Sequence, residues 1–162
     1  MRAKSLEIIR VEDNPSIGKG LQQIVYNLAF SPKIKYINMA NDAVPNADMA
    51  ESLLKLIKIS GAIETINMSM MNICSLLPEQ FFVAVGESKT LKYLNLDSNA
   101  KVTSKYALLA KAIAMNAKKN GSLVAVSIKN WFNGHAYFTA FFESMKVSEQ
   151  MHEMWYGDIK TA

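Results

Sequence analysis

The chain has very little cysteine, histidine and glycine, and it has no long apolar run. Its 162 residues contain one cysteine, two histidines and seven glycines. One cysteine cannot form an intrachain disulfide, the bond on which many secreted domains depend, so an intracellular protein is favoured. No apolar stretch approaches the roughly 18 residues of a membrane span, and the first residues, MRAKSLEII, lack the apolar core of a signal peptide. The sequence therefore predicts a cytoplasmic protein with no membrane span.

Because cysteine, histidine and glycine are scarce, few residues are candidates for catalysis, metal binding or phosphate binding. His135 and His152 have no metal-ligand spacing with Cys74 or with paired carboxylates. The glycines near Lys19 are too closely spaced to form a phosphate-cradling loop. We therefore expect no catalytic residue, no cofactor, no metal and no small-molecule substrate, and we predict that the protein is not an enzyme.

Basic residues exceed acidic ones, with a formal net charge of +4. The lysines stand singly or in pairs, and no basic run or basic–aromatic strip marks a nucleic-acid groove. Mildly basic, solvated helix faces are the preferred interpretation. Nucleic-acid binding is the alternative, and it predicts an affinity that falls steeply with salt.

What the chain does have is a nine-residue pattern that returns five times, apolar at its first, fourth and sixth positions. The copies begin at residues 6, 34, 63, 91 and 123, at intervals of 28, 29, 28 and 32 residues. Their sequences are LEIIRVEDN, IKYINMAND, IETINMSMM, LKYLNLDSN and LVAVSIKNW. A repeat of this length with the form LxxLxLxxN is typical of a leucine-rich repeat, in which each unit is one strand and one return helix.

Each copy alternates as a half-buried strand does. Successive side chains of an extended segment point to opposite faces, and here the fourth and sixth positions are apolar while the fifth is polar. The ninth position favours asparagine, whose amide can bond backbone groups where the chain leaves the strand. Met71 and Trp131 break this rule, so the register is weakest at the third and fifth turns. We predict strands near residues 6–11, 34–39, 63–68, 91–96 and 123–128.

Between the strands the apolar spacing becomes helical. Ser75 is the predicted N-cap of the third helix, with Pro78 near its first turn, and Asn120-Gly121 is predicted to end the fourth helix. The four return helices are predicted at about residues 18–31, 46–60, 75–86 and 103–118.

A repeat of 28–29 residues with a helix in every unit resembles the ribonuclease-inhibitor type of leucine-rich repeat. Residues 90–99, TLKYLNLDSN, are also similar to the TLxxLNxxSN stretch of the tropomodulin and leiomodin leucine-rich domain. The resemblance implies an α/β fold, a right-handed solenoid of five strand–helix units with a parallel sheet on its concave face and a C-terminal capping helix. Residues 1–131 are predicted to form the repeats, and residues 132–162 an aromatic-rich cap or tail.

The concave face of a solenoid is its usual binding surface, and here it carries the third, fifth and seventh positions of each copy. This face is largely neutral and hydrogen-bonding, with two tyrosines, and aromatic side chains often anchor protein partners. The fifth-position asparagines are candidates for a ladder across neighbouring strands, with simple solubility as the alternative. The predicted protein-binding residues are Tyr36, Asn38, Thr65, Asn67, Tyr93, Asn95, Asp97 and Lys129.

The tail after the last strand is rich in aromatic residues. Residues 131–156 hold eight of the fifteen aromatics of the chain. One interpretation is a cap over the open core of the end repeat, and the other is an adhesive segment that docks on another subunit. The residues assigned to this cap or interface are Phe138, Phe141, Phe142, Met154, Trp155 and Tyr156.

The first strand has only MRAKS before it, so its apolar edge predicts either a partner or preceding sequence. We predict a non-catalytic scaffold for protein–protein contacts within a larger intracellular assembly, with cytoskeletal proteins among the candidate partners. An actin-regulating domain like that of tropomodulin is one alternative, and an enzyme-regulating accessory subunit is the other.

Overall fold

The structure is a computed structural model, and it describes residues 5–42, 45–99, 105–131 and the backbone of 153–155. Six short strands form one sheet in chain order, and every neighbouring pair is parallel. The strands are β1 (Ile8–Arg10), β2 (Tyr36–Asn38), β3 (Thr65–Asn67), β4 (Tyr93–Asn95), β5 (Ala125–Ser127) and β6 (Glu153–Trp155). The helices are α1 (Lys19–Leu28), α2 (Ala47–Ile59), α3 (Glu79–Glu87) and α4 (Tyr106–Lys118).

Equivalent positions of the five repeats are aligned across the sheet. Tyr36 pairs with Thr65, and Thr65 pairs with Tyr93, so the third positions form one column. Backbone bonding continues past the strands, because each sixth-position N–H donates to the fifth-position carbonyl of the next repeat, as Met39 does to Asn67 at 2.9 Å. The predicted α/β repeat fold with a parallel sheet is confirmed, and the register holds even where Met71 and Trp131 depart from the pattern.

The core lies between the sheet and the helices. The fourth- and sixth-position side chains of the second to fifth repeats are buried there, whereas Ile9 and Val11 of the first repeat are only partly buried. Burying one large apolar side chain stabilises a fold by about 1.5–3 kcal/mol. Eight such side chains line the sheet, namely Ile37, Met39, Ile66, Met68, Leu94, Leu96, Val126 and Ile128.

The helices begin and end close to the predicted positions, with one exception at α3. Asn46 caps α2, since its side chain accepts a bond from Met49 N at 2.7 Å. The prediction for Ser75 was wrong, because the N-cap of α3 is Pro78. Leu77 N bonds to the carbonyl of Cys74, so the chain makes a separate turn around Ser75 before the helix starts.

The eighth position of every repeat has a positive φ angle. This backbone conformation costs an ordinary residue about 1–2 kcal/mol, and asparagine or aspartate tolerates it best. The chain therefore leaves each strand through the same left-handed residue. The five residues are Asp13, Asn41, Met70, Ser98 and Asn130, with φ between 53° and 63°.

The sixth strand was not predicted from the sequence. Its residues pair in parallel with β5, Ala125 with Glu153 and Ser127 with Trp155. Met154 and Trp155 therefore join the sheet through their backbones, while their predicted role as cap or interface stays a prediction. The predicted capping helix and the four other tail residues, Phe138, Phe141, Phe142 and Tyr156, lie outside the described residues.

Candidate functional site

The face of the sheet opposite the helices carries the predicted binding residues. This surface, which we call the concave face, consists of the third, fifth and seventh positions of the repeats. A groove of about 370 Å³ runs over it. Seven of the eight predicted residues line the groove, and Asn38, which is only 8 % exposed, does not. The lining is completed by Ile66, Leu94, Ala125 and Ser127.

Two tyrosines stand on the concave face with a smaller residue between them. Tyr36 and Tyr93 occupy the same column two strands apart, about 9.6 Å at the usual strand spacing. Thr65 lies between them, so the column has a notch at the third repeat. Tyr93 is 46 % exposed. The guanidinium carbon of Arg10 lies 5.3 Å from the centroid of the Tyr36 ring. The notch therefore offers aromatic walls to an incoming side chain.

The fifth-position asparagines do not use their side-chain oxygens for a ladder between strands. Each oxygen instead accepts a bond from the backbone N–H two residues further along its own strand. This local bond is typical of asparagine where a strand turns, and it holds all three side chains in the same arrangement. The bonds are Ala40 N to Asn38 at 3.2 Å, Ser69 N to Asn67 at 3.1 Å, and Asp97 N to Asn95 at 2.9 Å.

The fifth repeat has serine at this position, and a carboxylate from the preceding repeat replaces the missing amide oxygen. Asp97 Oδ1 accepts the Ser127 hydroxyl at 2.6 Å and the Lys129 backbone N–H at 2.7 Å. Asp97 therefore links the fourth repeat to the fifth on the concave face. Asp97 was predicted for binding, but its two bonds to the fifth repeat were not, since they join residues 30 and 32 positions apart.

Charges at the second position of the repeats are paired. Lys35 lies 3.1 Å from Glu7, and Lys92 lies 2.8 Å from Glu64. The bond from Lys92 lowers the pKa of Glu64, and the same bond raises the pKa of Lys92. The Lys35–Glu7 pair is exposed and the Lys92–Glu64 pair is partly exposed, so both add little stability, and they leave this rim of the sheet without a concentrated charge.

The described residues hold no group activated for covalent chemistry. Cys74 is buried, and burial raises the pKa of its thiol far above the usual value, so the thiol remains protonated. In the described ranges, no three histidine, cysteine, aspartate or glutamate side chains lie close enough together to hold a metal ion. No helix in the described part of the chain is long and apolar enough to cross a membrane.

Comparison with known proteins identifies the fold. No protein-family model matches the sequence, and no curated protein does. The chain is similar in structure to a tropomodulin C-terminal domain from structural genomics of Caenorhabditis elegans. The TM-score is 0.67 and the sequence identity 17 %, over 90 % of this chain and 86 % of that one. The resemblance to the tropomodulin leucine-rich domain is thus confirmed for the fold.

Proposed function

We propose that this leucine-rich repeat domain is a non-catalytic scaffold that binds a protein partner through its concave face, within a larger intracellular assembly. The observation that carries the proposal is the groove on that face, where two tyrosines flank a notch above a polar floor. Tyrosines anchor protein interfaces because they bury a large apolar area and keep a hydroxyl for hydrogen bonding.

The arrangement of the floor supports binding rather than catalysis. Asn67 and Asn95 are held by bonds to their own backbones, so little side-chain entropy is lost when a partner covers them. The groove does hold a hydroxyl bonded to a carboxylate, Ser127 with Asp97, but the same carboxylate oxygen also accepts the Lys129 backbone N–H, so the pair links two repeats. A rigid polar floor with aromatic walls is the composition of a recognition surface.

The test is capture of a partner followed by a comparison of variants. Protein recovered on the immobilised domain is identified by mass spectrometry, and its affinity is measured for the wild type and for Tyr36→Ala/Tyr93→Ala. We expect at least a roughly tenfold loss of affinity, since each hot-spot residue contributes more than about 1 kcal/mol. Tyr26→Ala is the matched control, because Tyr26 is similarly exposed but lies on helix α1.

Two results would contradict the proposal. The first is unchanged affinity of a folded Tyr36→Ala/Tyr93→Ala protein, which would place the interface elsewhere. The second is an equal loss in the Tyr26→Ala control, which would show that the helical face is the one that binds.

A second candidate is an actin-regulating domain, favoured by the similarity in fold to tropomodulin over 90 % of this chain. It predicts co-sedimentation with actin filaments or altered growth at their pointed ends. If the domain stays in the supernatant and filament growth is unchanged, the scaffold function is retained and the actin-regulating one is rejected.

A further inference from the structure

The apolar interior of the solenoid is thinly covered at the first repeat. Leu6 at the first position is 40 % exposed, while its four equivalents in the later repeats are buried. Ile9 and Val11 continue the buried fourth and sixth columns but are only partly buried, and so are Ile17 and Ile24 on the helix side. A repeat inside a solenoid has its core covered by a neighbour on each side. Among the described residues, the first repeat has such a neighbour on one side only.

The same edge carries backbone groups in the arrangement that joins the repeats. The Tyr36 N–H and the Asn38 carbonyl bond β2 to the first repeat, at 3.1 Å and 2.9 Å. Ile8 and Arg10 hold the same positions in β1, in register with Tyr36 and Asn38. The N–H of Ile8 and the carbonyl of Arg10 therefore point away from β2, to the edge, where another strand can pair with them.

The second positions of the repeats alternate in charge. They are Glu7, Lys35, Glu64 and Lys92, and the alternation ends at Val124 of the fifth repeat. The bond from Lys92 lowers the pKa of Glu64, and the charge of Lys35 on the other side lowers it as well. Glu64 thus has a cation on both sides, whereas Glu7 is ion-paired among the described residues with Lys35 alone. The alternation predicts a second cation on the open side of Glu7.

The other charges of the first repeat also favour a basic occupant. Its nine-residue copy, LEIIRVEDN, holds three carboxylates and one guanidinium, which makes it the most acidic of the five copies. The guanidinium of Arg10 does not lie towards the open edge. It leans towards β2, with its carbon 5.3 Å from the centroid of the Tyr36 ring, and its Nη1 is 3.8 Å from Glu12 Oε1.

We propose that the edge of β1 is a second interaction surface, which binds a basic, aliphatic segment of another polypeptide as a further parallel strand. A lysine or arginine of this segment lies beside Glu7, and its aliphatic side chains cover Ile9 and Val11. The segment thereby repeats towards β1 the arrangement that β2, with Lys35, has towards β3, with Glu64. This surface is separate from the concave face and does not depend on the function proposed above.

The test uses two designed peptides that follow the repeat pattern, LKTITVTSN and LETITVTSN. They differ only in the charge of the second residue, which is placed beside Glu7. Each is labelled at its C-terminus, and its affinity for the whole chain is measured by fluorescence anisotropy at low ionic strength, where exposed charges are least screened. We expect the lysine peptide to bind at least roughly threefold more tightly, since like charges repel where opposite charges attract.

Backbone methylation tests whether the peptide adds as a strand. The sixth-position N–H of a repeat donates to the neighbouring strand, as that of Val11 does to Asn38, and the fifth-position N–H points the other way. Methylation of the sixth nitrogen of the lysine peptide should lower its affinity at least roughly tenfold. Methylation of the fifth nitrogen is the matched control and should leave the affinity unchanged. The reversed sequence, NSTVTITKL, should bind more weakly, because it presents the same side chains only as an antiparallel strand.

The decisive protein variant is Glu7→Lys, which should reverse the preference so that the glutamate peptide binds more tightly. The fold is retained, because the exposed bond between Glu7 and Lys35 adds little stability. The control is Glu51→Lys, which makes the same change of charge on α2 and should keep the preference for lysine.

The inference is overturned if the lysine peptide does not bind, if the two peptides bind equally, or if the reversed sequence binds as well. Equal losses in the two methylated peptides, or an unchanged preference in Glu7→Lys, would also overturn it. Self-association that excludes the peptide, detected by sedimentation velocity, would reject a foreign strand in favour of a second copy of this chain. The captured partner of Tyr36→Ala/Tyr93→Ala is absent from this test, so the proposed function stands or fails separately.

Discussion

At the scale of single residues, Trp131 departs from the repeat pattern but keeps its hydrogen bond. Asn99 Nδ2 donates to the Met68 carbonyl at 3.0 Å. The fifth repeat has Trp131 at that position, and its indole Nε1 donates to the equivalent carbonyl, that of Leu96, at 2.7 Å. Leaving a buried carbonyl without a donor costs about 1–3 kcal/mol. Trp131 therefore departs from the asparagine preference of the ninth position but makes the same hydrogen bond as asparagine makes there.

Asp42 meets the ninth-position pattern only in part. Its Oδ1 accepts the Asn14 backbone N–H at 2.7 Å, but its Oδ2 is buried and has no partner. We expect Asp42→Asn to raise the free energy of unfolding by about 1 kcal/mol, because an amide there can donate to backbone carbonyls as Asn99 does. Urea denaturation at pH 7 is the measurement, with the exposed Glu51→Gln as the control. A lower midpoint for Asp42→Asn would contradict this.

The gain from Asp42→Asn should depend on pH. Burial raises the pKa of Asp42 above its ordinary value of 3.8, and the nearby carboxylates of Asp13 and Glu12 add to the increase. The folded protein therefore binds a proton more tightly than the unfolded chain, so this group's contribution to stability falls as the pH rises from 3.8 through the folded pKa. We expect the stability difference between Asp42→Asn and wild type to be smallest at low pH and to grow towards neutrality. A difference that shrinks over that range would contradict the expectation.

At the scale of the elements, four of the five left-handed residues that follow the repeat strands are joined in pairs by side-chain bonds between repeats. Asn41 donates to Asp13 at 3.0 Å, and Asn130 donates to Ser98 at 3.0 Å. Met70 occupies the same position in the third repeat, 53 % exposed and with φ at 59°. Methionine has neither a side-chain donor nor a tolerance for this conformation, so the series is interrupted there.

Met70→Asn is therefore expected to stabilise the protein by about 1 kcal/mol. The gain comes from the lower cost of the left-handed conformation in asparagine. Thermal unfolding measures it, as a higher midpoint. Leu76→Asn is the control, since Leu76 is also exposed but does not have a positive φ angle. An equal rise in both variants would point to loss of exposed apolar surface as the cause.

At the scale of the whole molecule, the solenoid has one thinly covered end among its described residues. Leu6 is 40 % exposed and Ile8 57 % exposed, whereas the equivalent residues of the third repeat, Ile63 and Thr65, are buried and half-buried. Strand β1 has only β2 as a neighbour in the described sheet, while β3 is paired on both sides. Each repeat of a solenoid is stabilised mainly by its neighbours, so the first repeat should open most readily.

Hydrogen exchange can test this with two equivalent bonds. Val11 N donates to the Asn38 carbonyl at 2.9 Å, and Met68 N donates to the Asn95 carbonyl at 3.0 Å. The bonds are geometrically alike, so a difference in exchange reports on the repeat and not on the bond. We expect the Val11 amide to exchange at least roughly tenfold faster than that of Met68. Equal protection would show instead that all repeats unfold as one unit.

The repeat fold was predictable from the sequence alone. Whether a residue faces the core or solvent depends on strand and helix geometry, and that geometry acts over a few residues. Ile37 and Met39 on one side of Asn38 could therefore be placed from their spacing. Recurrence at 28–29 residues then determined which strands lie side by side, because a regular repeat stacks each unit on the next.

The contacts between repeats required the tertiary structure. Asn120-Gly121 was predicted to end α4, yet the positive φ angle belongs to Asn120. Gly121 is needed for space, because a Cβ there would lie 2.1 Å from Asn116 Oδ1. Asn116 is held in place by bonds to the Val85 and Ser88 carbonyls, which lie in the preceding repeat.

The sequence by itself determined the five repeat strands, the return helices, their order and the face on which the tyrosines and asparagines lie, since each follows from local periodicity. Only the tertiary structure decided which of their atoms are left for a partner. Asn67 uses its oxygen locally, Ser127 turns to Asp97, and Trp131 replaces an asparagine. A hydrogen bond depends on distances of a few tenths of an ångström between side chains from different repeats, and no spacing along the chain encodes those distances.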